Sequence, residues 1–573
     1  HVSATYEHLG VRWAIDGDTD HDAAVTLRYR AAATATWRPG MDLVRTHPDL
    51  VGEGNGHPDN RWAGSIFWLA PGTKYEIELT LTDPDGGGTT RTITATTRSP
   101  MAPGPNAQSR WVTPGSGGGS GTPDDPFRGL QTAADAARPG DVFHLSPGTF
   151  QPFRVLASGA PGAPIVFRGL IDGTAVVDGA GTDRGIVTLG RYDQTTHDIM
   201  IEGLTIRNGR WGIDAQNSRD ITVRHVTVAN VDDGYTNRRD KALEGNQTIC
   251  DSVFEGRVPW PGQGIPSQRG IDLRGDGNVV CFNRLSNFGD GVSVQPFTGP
   301  SWGNDVYGND ITHIVDDPIE IDYNAANVRV WSNRVTNSRM GISLAPIFGG
   351  PAYVFRNTFF NLESSAYKMN REPAGLVIAH NTSLKRGNGT SSPAHWQNTT
   401  LRSNFLFGTR YVFEEYGLVA GSHDDWDHDA LAREPPCGPD TPPCFKWDNT
   451  RYRTLADLGA AGIEAHGVAG QRSDLVAALL PMEYATAADP AGYDLRLVPG
   501  VVEVDAGAAL ANINDPWVAD GRPDIGAFES GAALPRYGPR PLGSPITFLT
   551  RPPEPVATPR PQPSPLYLPA VDA

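Results

Sequence analysis

Asn309, Asn333, Asn357, Asn381 and Asn404 recur at intervals of 24, 24, 24 and 23 residues. Each follows a short β-favouring run, such as Asp305-Val-Tyr-Gly, Arg329-Val-Trp-Ser or Tyr353-Val-Phe-Arg. A fixed period in the twenties, with one strand-and-turn unit per repeat, constrains the chain to a solenoid. Because the repeat carries strands and not helices, the solenoid is expected to be a parallel β-helix. Asn tolerates left-handed backbone angles at turns, and stacked amides hydrogen-bond along the axis. The ladder therefore sets register and is not a ligand set.

At 573 residues the chain exceeds one ordinary domain. The formal charge of −17 disfavours a nucleic-acid partner, which needs a concentrated basic surface. No run of eighteen apolar residues is present, so no membrane span is expected. The 66 Gly and 48 Pro fit many tight turns. Four Cys are compatible with two disulfides, Cys437 with Cys444 and Cys250 with Cys281 on neighbouring coils, and with export; buried thiols are the alternative for the second pair. The start at His1, without Met or a signal-like segment, is read as a processed, secreted form.

Residues 1–98 alternate as an all-β sandwich, with Val11-Arg-Trp-Ala-Ile, Val25-Thr-Leu-Arg-Tyr and Tyr75-Glu-Ile-Glu-Leu as strands. Leu69-Ala-Pro-Gly-Thr-Lys-Tyr75 with Trp13 resembles a fibronectin type III domain, which implies a core Trp and a corner Tyr. Residues 99–120 read as a Gly-rich linker. The solenoid is expected over 121–534, opened by a capping helix with Phe127, Leu130, Ala133, Ala134 and Ala137 at helical spacing. This helix-then-strand opening, ending at Gly140-Asp-Val-Phe-His-Leu, resembles secreted pectate-lyase-like right-handed β-helix proteins. Asp524-Ile-Gly-Ala-Phe-Glu529 resembles the closing motif of chondroitinase-B-like and alginate-lyase-like relatives. Residues 535–573 form a Pro-rich tail, read as a surface-attachment sequence or a docking strand.

Register makes the outward faces readable. One column should hold Asp272, Ser293, Glu320, Ser343 and Lys368. The next should hold Arg274, Gln295, Asp322, Ala345 and Asn370. Asp290 and Asp317 lie at the rim, with Arg269 and Lys368 flanking the acids along the axis. The candidate catalytic set is Asp272, Glu320, Asp322, Lys368 and Asp317. Arg269, Arg274, Asp290, Gln295, Trp302, Tyr323, Arg339 and Asn370 are candidate substrate contacts. Trp260, Phe297 and Trp331 are further aromatic candidates for a groove edge. Four acids within Asp316–Asp322 repel one another more than solubility requires, which points to a role.

Such a face suits a polysaccharide laid across the coils. In hydrolysis, Glu320 and Asp272 would stand about 10 Å apart, near the wide spacing of inverting enzymes. In β-elimination, Lys368 would take a proton while Glu320 and Asp322 hold Ca²⁺. The acid pair resembles the metal-holding acids of chondroitinase-B-like lyases, although the Lys those enzymes carry shortly afterwards is absent from Tyr323-Asn-Ala-Ala-Asn327. Hydrolysis, with no cofactor required, is therefore placed ahead of Ca²⁺-assisted elimination. A non-catalytic adhesin or matrix component is the alternative from another class. His423-Asp-Asp-Trp-Asp-His428 is read as a solvated loop, and no nucleotide or nucleophile-elbow motif occurs.

Overall fold

A computed structural model describes residues 1–48, 59–237, 245–262, 264–296, 300–416, 423–479, 484–518 and 521–549. Phe297 and the last part of the tail lie outside the described residues.

The N-terminal residues form two four-stranded antiparallel sheets. One runs Val2–Ala4, Leu9–Ala14, Arg61–Ile66, Val44–Thr46, and the other Arg38–Pro39, Ala24–Ala31, Lys74–Thr82, Thr89–Thr96. Their alternating residues meet in one core of Leu9, Val11, Val25, Leu27, Ile77 and Leu79. Trp62 is the buried Trp there, whereas its cross-strand partner Trp13 is only partly buried. The Tyr75 hydroxyl accepts from the Ala70 N–H at 2.8 Å.

Beyond them, parallel pairing builds a 14-stranded and a 19-stranded sheet, wound coil upon coil. Val223, Ile249, Val280, Val306, Val330, Val354, Ile378 and Leu401 stand in register on successive coils and are all buried. Each such side chain contributes roughly 1.5–3 kcal/mol by leaving water. The open end is covered by the helix Leu130–Ala136, whose Leu130, Ala133 and Ala134 are buried against the first coils. The stretch read as a linker departs from that expectation: Gln108–Thr113 is a strand paired in parallel with Asp141–Leu145. Its alternation is short and flanked by glycines, so its partner, not its own pattern, makes it a strand.

The Asn ladder continues from Asn283 to Asn404. Each backbone N–H in it donates to the next side-chain oxygen, at 2.9–3.1 Å for Asn283, Asn309, Asn333, Asn357 and Asn381. The ladder ends on Asp429, which accepts from the Asn404 amide at 3.0 Å. The left-handed residues are not the Asn themselves but those just before them: Phe282, Gly308, Ser332, Arg356, His380 and Ser403, with φ from 50° to 67°. That bend turns the amide inward, where it also caps the carbonyls of Val280, Val306, Val330, Val354 and Ile378.

The outward column of the 14-stranded sheet is aromatic. Tyr307 stacks on Trp331 at 4.2 Å between ring centroids, and Trp331 on Phe355 at 5.9 Å. His8, Phe67 and Trp68, just outside the N-terminal strands Leu9–Ala14 and Arg61–Ile66, and Phe548 cover it. Cys250 and Cys281, register partners on adjacent coils, are joined by a disulfide, as are Cys437 and Cys444. In the same junction Arg329 donates to Asp305 at 2.6 Å, and His8 lies 2.9 Å from the other Asp305 oxygen. Ile525, Ala527 and Phe528 pack on Phe360, Phe405 and Phe407 outside the cylinder. The first residues of the tail are docked as well, with Glu7 accepting from the Phe548 and Leu549 N–H groups.

Candidate active site

Register places the candidate acids and bases on one strip. Asp272 pairs with Ser293, Ser293 with Glu320, Glu320 with Ser343, and Ser343 with Lys368. The short strands carrying them, Arg269–Leu273, Asp290–Val294, Ile319–Glu320, Ile342–Ser343 and Tyr367–Lys368, put Ile271, Val292, Ile319, Ile342 and Tyr367 into the core. Alternation then turns the polar residue outward.

Arg269 joins three of the carboxylates. Its guanidinium lies 3.0 Å from Asp290 Oδ2, 3.5 Å from Asp272 Oδ2 and 3.3 Å from Glu320 Oε2. Asp272 is fully buried and also meets Arg274 at 3.1 Å. At the other end, Lys368 Nζ lies 2.5 Å from Asp317 Oδ2. Between them, Asp290, Asp316 and Asp317 each present an oxygen within 4.8 Å of the others. Two ligands about 2.3–2.6 Å from one ion lie at most ~5 Å apart, so this trio has the size and the hard oxygen donors for Ca²⁺.

Burial and mutual repulsion push these acids up. Asp290 and Asp317 are raised to about 8, and Asp322 to about 7, burial being the larger cause in each and the Glu320 charge the next for Asp290 and Asp322. Burial works to lower Lys368, but the Asp317 carboxylate outweighs it and raises the amine as well, to about 12. Burial thus opposes ionisation of these acids, which a bound cation would favour.

The structure separates several residues grouped by sequence. Asp322 accepts from Ser343 Oγ at 2.8 Å and the Ala345 N–H at 2.7 Å. It braces the next coil, and the acids whose oxygens lie together are Asp290, Asp316 and Asp317 and not the expected pair of Glu320 with Asp322. Asp272, sealed between two guanidinium groups, is not placed to meet a substrate. Arg274 and Gln295 are nearly buried beside it. Trp302 is a correction: it is 6% exposed, with Arg12 at 3.5 Å and Arg61 at 4.8 Å from its ring, in the junction with the N-terminal sheets. Trp331 is buried there too.

Tyr323, Arg339 and Asn370 are half-buried. Tyr323 receives a hydrogen bond from Arg371, and Arg339 reaches Asp316 at 3.4 Å. Trp260, between the strands Val253–Gly256 and Arg269–Leu273, meets His313 at 4.9 Å and Tyr484 at 5.1 Å between ring centroids. Tyr484 was not expected. It lies close enough to Arg339 and Asp316 to feel their charges, from a segment with no repeat to reveal its position.

No family model matches the sequence. The chain is 23% identical over 360 residues to pectate lyase PEL9 of Emericella nidulans, covering 55% of this chain and 78% of that protein. Among solved structures it is similar to pectate lyase Pel9A, with 16% identity and a TM-score of 0.41 over 74% of this chain and 97% of the other. An alginate lyase from Paenibacillus sp. gives 14% identity and a TM-score of 0.30 over 60% and 99%.

Proposed function

We propose that this protein cleaves a uronic-acid polysaccharide by β-elimination. The observation that carries the reading is the contact between Lys368 and Asp317, in which a base abuts a trio of carboxylates of cation-binding size. The name of the Emericella relative, pectate lyase, agrees with it. Hydrolysis, placed first on sequence alone, gives way, because Asp272 is buried between Arg269 and Arg274 and leaves Glu320 without its opposed carboxylate.

Asp290, Asp316 and Asp317, with Glu320 beside them, would hold the cation. A bound Ca²⁺ would neutralise the uronate carboxylate and so acidify the proton at C5. Lys368 would then take that proton, the electron pair forms the C4–C5 double bond, and the C4–O bond breaks, its oxygen taking a proton from solvent to leave as a sugar hydroxyl. Were Asp317 to bind the cation, its charge would no longer hold Lys368 high, and the Lys368 pKa would fall towards the working range. Arg339 and Arg371 offer positive charge to neighbouring uronates despite the acidic net charge, and Tyr323, Trp260 and Tyr484 offer ring faces to sugars.

Secretion fits the two disulfides. The N-terminal sheets, read as a fibronectin type III-like module, serve in this proposal as a rigid accessory to the cylinder.

Digestion of a panel of uronic-acid and neutral glycans tests the reading. Elimination yields ultraviolet-absorbing unsaturated ends that vanish with chelator. New reducing ends without that absorbance would point to hydrolysis, and retention of glycan with no new ends to an adhesin.

A further inference from the structure

A second group of potential ligands is separate from the acidic strip. His21 and His47 belong to the N-terminal segment, and His423 follows the coil strand Phe413–Tyr416. One ring nitrogen of each lies within 4.8 Å of the other two. His47 Nδ1 and His21 Nδ1 are 3.2 Å apart, with the rings at 70° to one another. The His47 ring stacks on that of His423 at 4.3 Å. His47 is buried, while His21 and His423 are half-buried and reachable from solvent.

We propose that His21, His47 and His423 bind a zinc-class transition-metal ion that fastens the N-terminal sheets to the solenoid. Three imidazoles suit zinc, copper or nickel and not Ca²⁺, which takes oxygen ligands. Zn–N bonds of about 2.0–2.1 Å put tetrahedral ligand nitrogens ~3.3 Å apart. The His21–His47 separation already matches that edge. Arg45, whose charge acts on His47, is neutralised by Asp18 at 2.8 Å, so it does not bar a divalent ion. The expected solvated loop from His423 to His428 is thereby divided. His423 joins the N-terminal pair, whereas Asp427 is occupied by the His466 ring and backbone, each at 2.7 Å.

Zn²⁺ titration of the full chain by calorimetry, with Ca²⁺ in excess to fill oxygen sites, tests this. The wild type should take up one tight equivalent and unfold at a higher temperature with Zn²⁺ than without. His21→Asn and His423→Asn should each lose more than the ~10-fold in affinity that even an outer partner of a ligand is worth. His466→Asn should keep the site. X-ray absorption of the Zn²⁺-loaded wild type should show imidazole ligands, which needs no variant to fold. The proposal is overturned if the wild type takes up no tight Zn²⁺, if His21→Asn binds as the wild type does, or if only His466→Asn loses the ion.

Discussion

Lys368 Nζ lies 2.5 Å from Asp317 Oδ2, across 51 residues of sequence but only two coils of the solenoid. The pair joins the basic end of the strip to its carboxylate trio, and Asp317 raises the Lys368 pKa.

Lys368→Met should therefore abolish turnover while leaving the fold intact, since Lys368 is partly exposed and outside the core. A loss of about 10²–10⁴-fold is expected for a proton-transfer group. The appearance of unsaturated uronate by ultraviolet absorbance measures it, and activity within a few-fold of wild type would retire the assignment.

Glu320→Gln should weaken Ca²⁺-dependent activity without unfolding the protein, because Glu320 raises its acidic neighbours by its charge. Titrating Ca²⁺ back into chelated enzyme checks this. The variant should need more Ca²⁺ for half-maximal rate, and an unchanged requirement would exclude Glu320 from the cation's surroundings.

Arg269 holds Asp272, Asp290 and Glu320 together. Arg269→Met leaves the buried Asp272 with Arg274 as its remaining guanidinium partner and exposes the strip to its own repulsion. A destabilisation of about 3 kcal/mol is expected in denaturant unfolding with chelator present. A neutral result would show that the acids relax by protonation.

Asn333→Ala would strip partners from the Asn309 N–H, the Asn309 amide and the Val306 carbonyl, all buried. At about 1–3 kcal/mol per orphaned group, a loss of several kcal/mol is expected in the same unfolding measurement.

Glu415 is buried within the solenoid, accepting from Thr390 at 3.1 Å and Trp396 Nε1 at 3.1 Å, and burial raises it to about 8. The folded chain thus holds this proton more tightly than the unfolded one. Its contribution is fully present below the unfolded pKa of 4.5 and is lost as pH rises through about 8. Relative to Glu415→Gln, the wild type should lose stability over that interval. Parallel pH dependences for the two proteins would contradict the raised pKa.

The parts of this molecule that repeat were legible in the chain. The spacing of the Asn residues implied coils of about two dozen residues. Alternation within each coil then aligned Asp272, Ser293, Glu320, Ser343 and Lys368, the column seen in the strand pairing. Both follow from local rules, because a strand alternates with period two and stacking repeats one register. Trp331 was misplaced because it stands in an aromatic outward column of the 14-stranded sheet, between Tyr307 and Phe355, and Trp302 because it lies off that sheet, bridged to Ala326. The sheet's alternation cannot reveal that N-terminal residues cover it.

Sequence alone determined the solenoid and the face on which its acids stand, since each depends on contacts between equivalent positions of successive coils. Only the tertiary structure decided which acids meet: Arg269 spanning three carboxylates, Lys368 closing on Asp317, and His423 reaching His21 and His47. Those contacts depend on side-chain reach and on the docking of segments that do not repeat, for which the chain carries no periodic signal.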